Sequence, residues 1–308
     1  QQSLSSSDTG PWGKGFRNYT RLALGQAGTA AANTYISMRY KVEAQDIANS
    51  GWDYTSASSD ITISFWFRCS TNQTFYFEVK SDDGTAQSYV FSFTASGNNT
   101  WTKVTKTIPG NSNIQINNDN GSGLSLWIYQ FYGTDYSNNK TLDQWAAYSG
   151  SNVMPDMAST WLTAGASTWD LTGVKLEVSD HATDFEHRSY GQELALCQRY
   201  YYVLADGSDS STEIVGTGMG WASSQMEYHV RFPQEMRSAP SLVQGTGTNY
   251  FQWRTETQEK YQDTLSYGSA TTRSALIYVG STSGLTQGYA YRVQLGNANA
   301  YLHLNAEL

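Results

Sequence analysis

Two pairs of carboxylates lie close enough in the chain to act together, Asp82 with Asp83 and Asp206 with Asp209. Acids flanking a cleft hydrolyse a glycosidic bond, one giving a proton while the other attacks or activates water. Both pairs sit in Ser-Asp-Asp-Gly and Asp-Gly-Ser-Asp contexts, where aspartate bonds its own turn backbone, so a turn role is expected of them. The same acids, or Asn117 to Asn120, have the hard oxygen donors that suit a structural Ca²⁺, although their spacing matches no specific loop. No other cofactor and no metal ligand set is expected. His187 beside Glu186, with Cys197 further on, has the residue types of a Cys-His nucleophile pair. A lone histidine near a cysteine expected to be buried reads instead as a satisfied structural group. His181, His229 and His303 stand apart without ligand spacing. A His-Glu-x-x-His pair, a P-loop, a Gly-x-Ser-x-Gly elbow and a Cys-x-x-Cys are absent from the sequence. Gly216-Thr-Gly-Met-Gly220 has no apolar helix after it, and glycines in this β-rich context mark bulges or close backbone contact. The chain is therefore not expected to be an enzyme.

Aromatic side chains offer a second kind of chemistry. There are 10 Trp, 22 Tyr and 11 Phe, and strand alternation turns Phe65 and Phe67, Phe75 and Phe77, and Phe91 and Phe93 inward. Trp66, Tyr76 and the residues from Trp127 to Trp169 escape that rule. Rings exposed among Asn, Asp and Gln stack on sugar rings while their neighbours bond hydroxyls, and Trp127, Trp145, Tyr148 and Trp161 are the candidates. The competing role is to cover a sandwich or a subunit interface.

The elements that must carry these residues are strands. The chain has 308 residues with 15% charged side chains and abundant Ser, Thr, Asn and Gly, the composition of an all-β protein with many turns. Alternating runs at 35–42, 61–68, 74–79, 88–93, 100–108, 124–131 and 171–178, separated by Ser81-Asp-Asp-Gly84, Gly97-Asn-Asn99, Pro109-Gly110 and Asp119-Asn-Gly121, predict an antiparallel sandwich or jelly roll. A second series follows at 200–203, 217–222, 226–232, 241–243, 275–279, 289–295 and 301–304. The expected organisation is an N-terminal arm or linker without a core, anchored by its aromatics Trp12 and Phe16 (1–16), a β-sandwich (17–180), a junction with a short helix (181–202) and a second β-sandwich (203–308). Residues 133–169 are expected to form a long loop packed by its own aromatics.

A net charge of −8 and a pI near 5.0 argue against a nucleic-acid binder, which needs a basic stripe for counterion release. Cys69 and Cys197 fall in different predicted domains, so no disulfide framework is expected, and both read as buried free thiols compatible with a reducing compartment. No apolar run approaches the ~18 residues of a membrane span, and no secretory leader is evident at Gln1, so membrane insertion is not expected. The missing initiator Met points to a processed product or a segment of something longer. Sequons at Asn18, Asn72, Asn98 and Asn139 are attributed to the abundance of Asn, Ser and Thr.

One stretch resembles neither half: Ala182-Thr-Asp-Phe-Glu-His-Arg-Ser-Tyr190 followed by Glu193-Leu-Ala-Leu-Cys-Gln-Arg-Tyr-Tyr201. Together with Ile61-Thr-Ile-Ser-Phe-Trp-Phe-Arg68, the Thr100-Trp101 strand ending in Ile108-Pro-Gly110, Gly123-Leu-Ser-Leu126 and Leu171-Thr-Gly-Val-Lys-Leu-Glu-Val178, it resembles a β-sandwich module of tailed-bacteriophage tail-fibre and receptor-binding proteins, often described as carbohydrate-binding. The C-terminal half, with Phe232-Pro-Gln-Glu-Met-Arg-Ser-Ala-Pro240, resembles the domain that commonly follows. The chain departs from the family at Asp184, where proline is more usual. The resemblance implies a structural and adhesive virion protein that recognises host cell-surface glycans, assembles in the bacterial cytoplasm with other virion proteins, and acts as a homotrimer. It assigns structural roles to the junction residues Phe185, Glu186, Arg188, Cys197, Arg199 and Tyr200: Phe185 would fill a core, and Glu186 and Arg188 would pair or bond backbone. The alternatives are an architectural virion protein without glycan contact and a glycan depolymerase.

Overall fold

A computed structural model of the protein describes residues 1–208, 210–280, 282 and 284–308. The chain is all-β and divides into two compact units, Gln1–His187 and Arg188–Leu308. The first holds β1 (Gln2–Ser3), β2 (Asn18–Leu24), β3 (Tyr35–Glu43), β4 (Asp60–Cys69), β5 (Asn72–Ser81), β6 (Gln87–Ser96), β7 (Thr102–Pro109), β8 (Ser122–Tyr132), β9 (Trp145–Ala147) and β10 (Ser167–Val178), with short helices α1 (Ala44–Ala48) and α2 (Thr160–Thr163). Two antiparallel sheets, ordered β1-β2-β10-β4-β7 and β3-β8-β5-β6-β9, enclose the core. Period-two alternation decides which side chains enter it: Ile61, Ile63, Phe65 and Phe67 of β4 meet Phe75, Phe77 and Val79 of β5 and Phe91 and Phe93 of β6. Phe65 stacks on Phe77 at 5.6 Å between ring centroids, and Phe67 meets Phe93 edge-on at 4.8 Å, so aromatic pairs join the sheets.

Residues 1–16 are not a coreless arm. Leu4, Phe16, Tyr19 and Trp101 form a buried cluster with Trp12 and Trp66 on the outer face of the β2-β10-β4-β7 layer. Asp8 fixes this segment: its Oδ1 accepts from Arg68 (2.6 Å) and Trp101 Nε1 (3.1 Å). Beneath it Asp170, fully buried, takes two bonds from Arg21 and one from Arg68. Trp12 and Phe16 anchor the segment, joined by Leu4, and all three pack against a sheet, not a core of their own. Residues 133–169 also differ from expectation, because Trp161 and Trp169 enter the main core instead of packing the loop itself.

The second unit holds α3 (Tyr190–Gln198), β11 (Tyr201–Asp206), β12 (Ile214–Ala222), β13 (Gln225–Arg231), β14 (Ser241–Gln244), β15 (Phe251–Arg254), β16 (Glu259–Gln262), β17 (Ser266–Gly268), β18 (Ser274–Val279), β19 (Ala290–Leu295) and β20 (Tyr301–Asn305). Its sheets run β11-β20-β14 and β16-β15-β19-β12-β13-β18-β17 and share a core that includes Trp253, Tyr291, Met226, Ile277 and Leu302. The β12 glycines permit close packing: a Cβ on Gly218 would lie 2.3 Å from Met226 Sδ and 2.7 Å from the Glu227 carbonyl. They are a strand feature, as expected, and not a phosphate cradle.

The first half of the junction belongs to the first unit. Lys14 Nζ pairs with Asp184 (2.8 Å), Thr183 bonds Glu177, and Phe185 packs edge-on to Phe16 at 4.9 Å while keeping a partly exposed ring. Glu186 and Arg188 do not pair with each other; Glu186 approaches Lys175 (3.9 Å) and Arg188 bonds Glu193 (3.3 Å). The helix starts at a capping box in which Ser189 and Gln192 bond reciprocally. Its end is tied down through the Arg199 carbonyl, which accepts from the Arg237 amide, and the Tyr200 carbonyl, which accepts from the Ala306 amide, both at 2.8 Å. None of the residues of α3 is buried, and Cys197 is exposed, contrary to expectation. Leu194 and Cys197 share a helix face, but that face is not turned into the unit's core. Cys69 is buried, and burial pushes its thiol up, leaving an inert hydrophobe.

Candidate functional site

The residues singled out for acid-base or nucleophilic chemistry are engaged locally. Asp82 accepts from Ser122 and Ser125 and pairs with Lys80 at 3.0 Å. Asp83 accepts from the Asn117 amide and side chain (2.8 and 2.7 Å). Asp206 accepts from the Ser208 amide, the turn role expected of it, while Asp209 lies outside the described residues. His187 Nε2 donates to the Lys14 carbonyl (2.8 Å), with its ring against Phe16 and Phe185. It is a satisfied structural histidine. Among the described residues no three His, Cys, Asp or Glu side chains gather as a metal ligand set.

The four candidate aromatics part company. Trp161 is fully buried in the core and presents no ring to a ligand. Its position follows from α2, a single turn whose Trp161 amide donates to Gln73 Oε1 (2.8 Å) and which drops the indole between the sheets. Trp145 on the edge strand β9 is half-buried, edge-on to Tyr89, with Nε1 donating to the Pro109 carbonyl (2.6 Å). Trp127 and Tyr148 come together at the outer face of the β3-β8-β5-β6-β9 sheet.

Strand parity builds this face. Leu124, Leu126 and Ile128 of β8 point into the core, so Ser125, Trp127 and Tyr129 point out. Register then sets Arg39 of β3 and Glu78 of β5 on either side of Trp127, Ser37 and Tyr76 beside Tyr129, and Lys41 and Lys80 beside Ser125. An aromatic ribbon runs along it. Trp127 stacks on Tyr129 at 5.9 Å and 9° between planes; Tyr129 meets Tyr132 at 4.6 Å; Tyr132 meets Tyr136 at 5.3 Å; and Tyr136 meets Tyr35, which is 61% exposed, at 5.7 Å. The Arg39 guanidinium lies over Trp127 at 4.7 Å, and Lys80 Nζ lies over the Tyr148 ring at 4.7 Å. Tyr148 is 40% exposed and is anchored by its amide to the Ala86 carbonyl.

Part of the face is roofed by the segments on either side of β9: Leu142 from the loop after β8, and Val153 and Met154 beyond β9, pack with Tyr76, Val90 and Tyr129. Under that roof Glu78 is fully buried. Burial pushes its carboxyl above its ordinary value of 4.5, against the lowering effects of neighbouring hydroxyls and of Lys80 and Lys140, and Oε2 accepts from Tyr129. Glu78 Oε1 and Trp127 Nε1 have no hydrogen-bond partner. Tyr129 is itself pushed up, by burial first and then by Glu78. Glu78 and Asp82 on the Tyr148 side of the ribbon lie four positions apart, or ~13 Å along an extended strand. That is wider than the ~5–9.5 Å between paired catalytic carboxyls of glycosidases. Rings beside charged and hydroxyl groups are suited to holding a ligand by stacking and polar contact.

Sequence reasoning singled out Trp127 and Tyr148 of this face but not Tyr35, Tyr132, Tyr136, Arg39, Lys80 or Glu78. The available signal was the mixed aromatic and charged outer parity of β3 and β5, Ser37-Arg39-Lys41 and Tyr76-Glu78-Lys80. Only the pairing of both strands to β8 brings these onto one surface.

The two units are β-sandwiches by architecture. No protein-family model matches the chain, and no curated protein matches it. Solved structures similar to it include a family 16 carbohydrate-binding module, module 2 (TM-score 0.26, 11% identity, covering 53% of this chain and 77% of that one). Others are the N-terminal CBM22-1–CBM22-2 tandem domain of Paenibacillus barcinonensis Xyn10C (TM-score 0.24, 12% identity, 92% and 86%) and discoidin II of Dictyostelium discoideum (TM-score 0.16, 13% identity, 82% and 76%). At such TM-scores these likenesses carry no argument about function, which rests on the site.

Proposed function

We propose that the protein is a non-catalytic glycan-binding protein whose N-terminal sandwich recognises cell-surface saccharides on the outer face of the β3-β8-β5-β6-β9 sheet. The observation that carries this reading is the run of rings from Trp127 to Tyr35, in which Trp127, Tyr132, Tyr136 and Tyr35 keep surface open while Tyr129 is buried between them, flanked by Arg39, Lys80 and Tyr148. Flat rings provide apolar faces for the C–H sides of pyranoses, and adjacent charged and hydroxyl groups bond their hydroxyls.

The particular role proposed is host attachment on a tailed-phage virion, as a tail-fibre or receptor-binding segment at the particle surface or tail. The junction and strand motifs that resemble that family support it. Assembly as a homotrimer with other virion proteins is part of the same proposal. It is supported by the exposed Leu194 and Leu196 of α3 and by Met219, Trp221 and Tyr289, which are also exposed in the second unit. Those same exposed side chains favour the second reading, an architectural virion protein whose apolar surfaces serve only contacts between subunits.

The test is binding of the purified protein to a glycan array and to host cells, with released oligosaccharide monitored in the same wells. Saturable binding without product is expected. Absence of binding would favour the architectural role, and sugar release would overturn the non-catalytic reading.

A further inference from the structure

We propose that the saccharide taken by this face is acidic, carrying carboxylate or sulfate groups that sit against Arg39 and Lys140. The inference rests on the glycan-binding reading and narrows its ligand class.

The chain carries a net charge of −8, yet this face gathers cations that the protein leaves without anions. Arg39 is exposed and lies over Trp127, and among the described residues its guanidinium contacts no carboxylate. Lys140, from the loop that roofs the face, is only 8% exposed. Its ammonium has neither a hydrogen-bond acceptor nor a carboxylate within ion-pair distance among the described residues. A lysine whose stem is packed away and whose ammonium has no protein anion gains a charge-assisted bond when a ligand supplies one. Burial holds Lys140 below the ordinary lysine range, and the field of Glu78 opposes that shift without forming a bond.

The carboxyls already present do not meet this need. Glu78 is engaged by Tyr129, and Asp82 is satisfied by Lys80, Ser122 and Ser125. Arg39 and Glu78 flank Trp127 on neighbouring strands, which places them ~10 Å apart across the sheet. A sugar stacked along Trp127 would therefore reach Arg39 on one side and, on the other, the Glu78 side where Lys140 contributes its charge. An anionic substituent gives each cation a charge-assisted bond that a neutral sugar cannot.

The experiment is a titration of the full chain with three oligosaccharide sets: uronic or sialic acid-containing sugars, the same sugars after carboxyl reduction, and sulfated sugars. Arg39→Gln and Lys140→Met are titrated alongside. Lys140→Met keeps the apolar stem and removes an unpaired charge, so it is expected to fold; Arg39 is exposed, so its replacement leaves the core intact. The expected result is at least ~10-fold tighter binding of an acidic sugar than of its reduced form, weakened by salt. Both variants should lose that discrimination, and the carboxylated and sulfated arms identify which anion is preferred. Equal binding of acidic and reduced sugars, or unchanged discrimination in both variants, overturns the acidic inference and leaves glycan binding standing. Failure to bind any of the three sets overturns both.

Discussion

Glu78 shows most directly how one residue's environment fixes its chemical state. A carboxyl beside Ser88, Tyr129 and Trp127, roofed by Val153 and Met154, is held above its ordinary value because burial penalises the charge more than its neighbours relieve it. Its folded value lies above its unfolded one, so the folded protein binds the proton more tightly. The associated stability is complete below the ordinary value of 4.5 and is lost as pH rises through the folded value. Glu78→Gln removes the titration while keeping the shape. Denaturation of both proteins between pH ~4 and ~8 should show the variant gaining stability relative to the parent as pH rises; a constant difference would mean that Glu78 is ionised in the fold. At this scale the sequence was a poor guide. Trp127 and Trp161 look alike as residues in polar company, and only the single turn at α2 buries one while the outward parity of β8 half-exposes the other.

At the scale of elements, strands of ten or more residues, such as β4, β5, β6 and β8, were legible from the chain alone, because their length, β-branched and aromatic content and bounding turn residues agree. The short strands β15, β16 and β17 were not, since three or four residues carry too little period to separate strand from loop. The packing of residues 1–16 was hidden for another reason: Leu4, Trp12 and Phe16 gain their partners from β2, β4 and the residue before β7, all remote in sequence. The β12 glycines were read correctly as positions of close backbone approach. Gly218→Ala tests that reading, because its Cβ would meet the Glu227 backbone carbonyl, which cannot swing away, as well as the buried Met226 sulfur. The expected cost is ~1–3 kcal/mol in the denaturation of the second unit. Gly13→Ala, which meets nothing within 4 Å, is expected to be near neutral. Equal effects from the two would show that β12 has room to relax.

For the whole molecule, the division into two sandwiches was visible as two strand series interrupted by an unlike segment. That the segment is shared, its Thr183–His187 part bonded to the first unit and its Ser189–Gln198 helix in the second, depends on side-chain contacts that no local pattern announces. The proposed function rests on one layer of the first unit, where three strands distant in sequence align Arg39, Trp127 and Glu78. The most direct test is calorimetric titration of the full chain with the tightest glycan from the array, comparing the parent with Trp127→Ala and with Trp145→Ala as the control off the ribbon. Loss of at least ~10-fold in affinity for Trp127→Ala with Trp145→Ala unchanged is the predicted result. Undiminished binding by Trp127→Ala in a folded protein would contradict the assignment of this face as the glycan site.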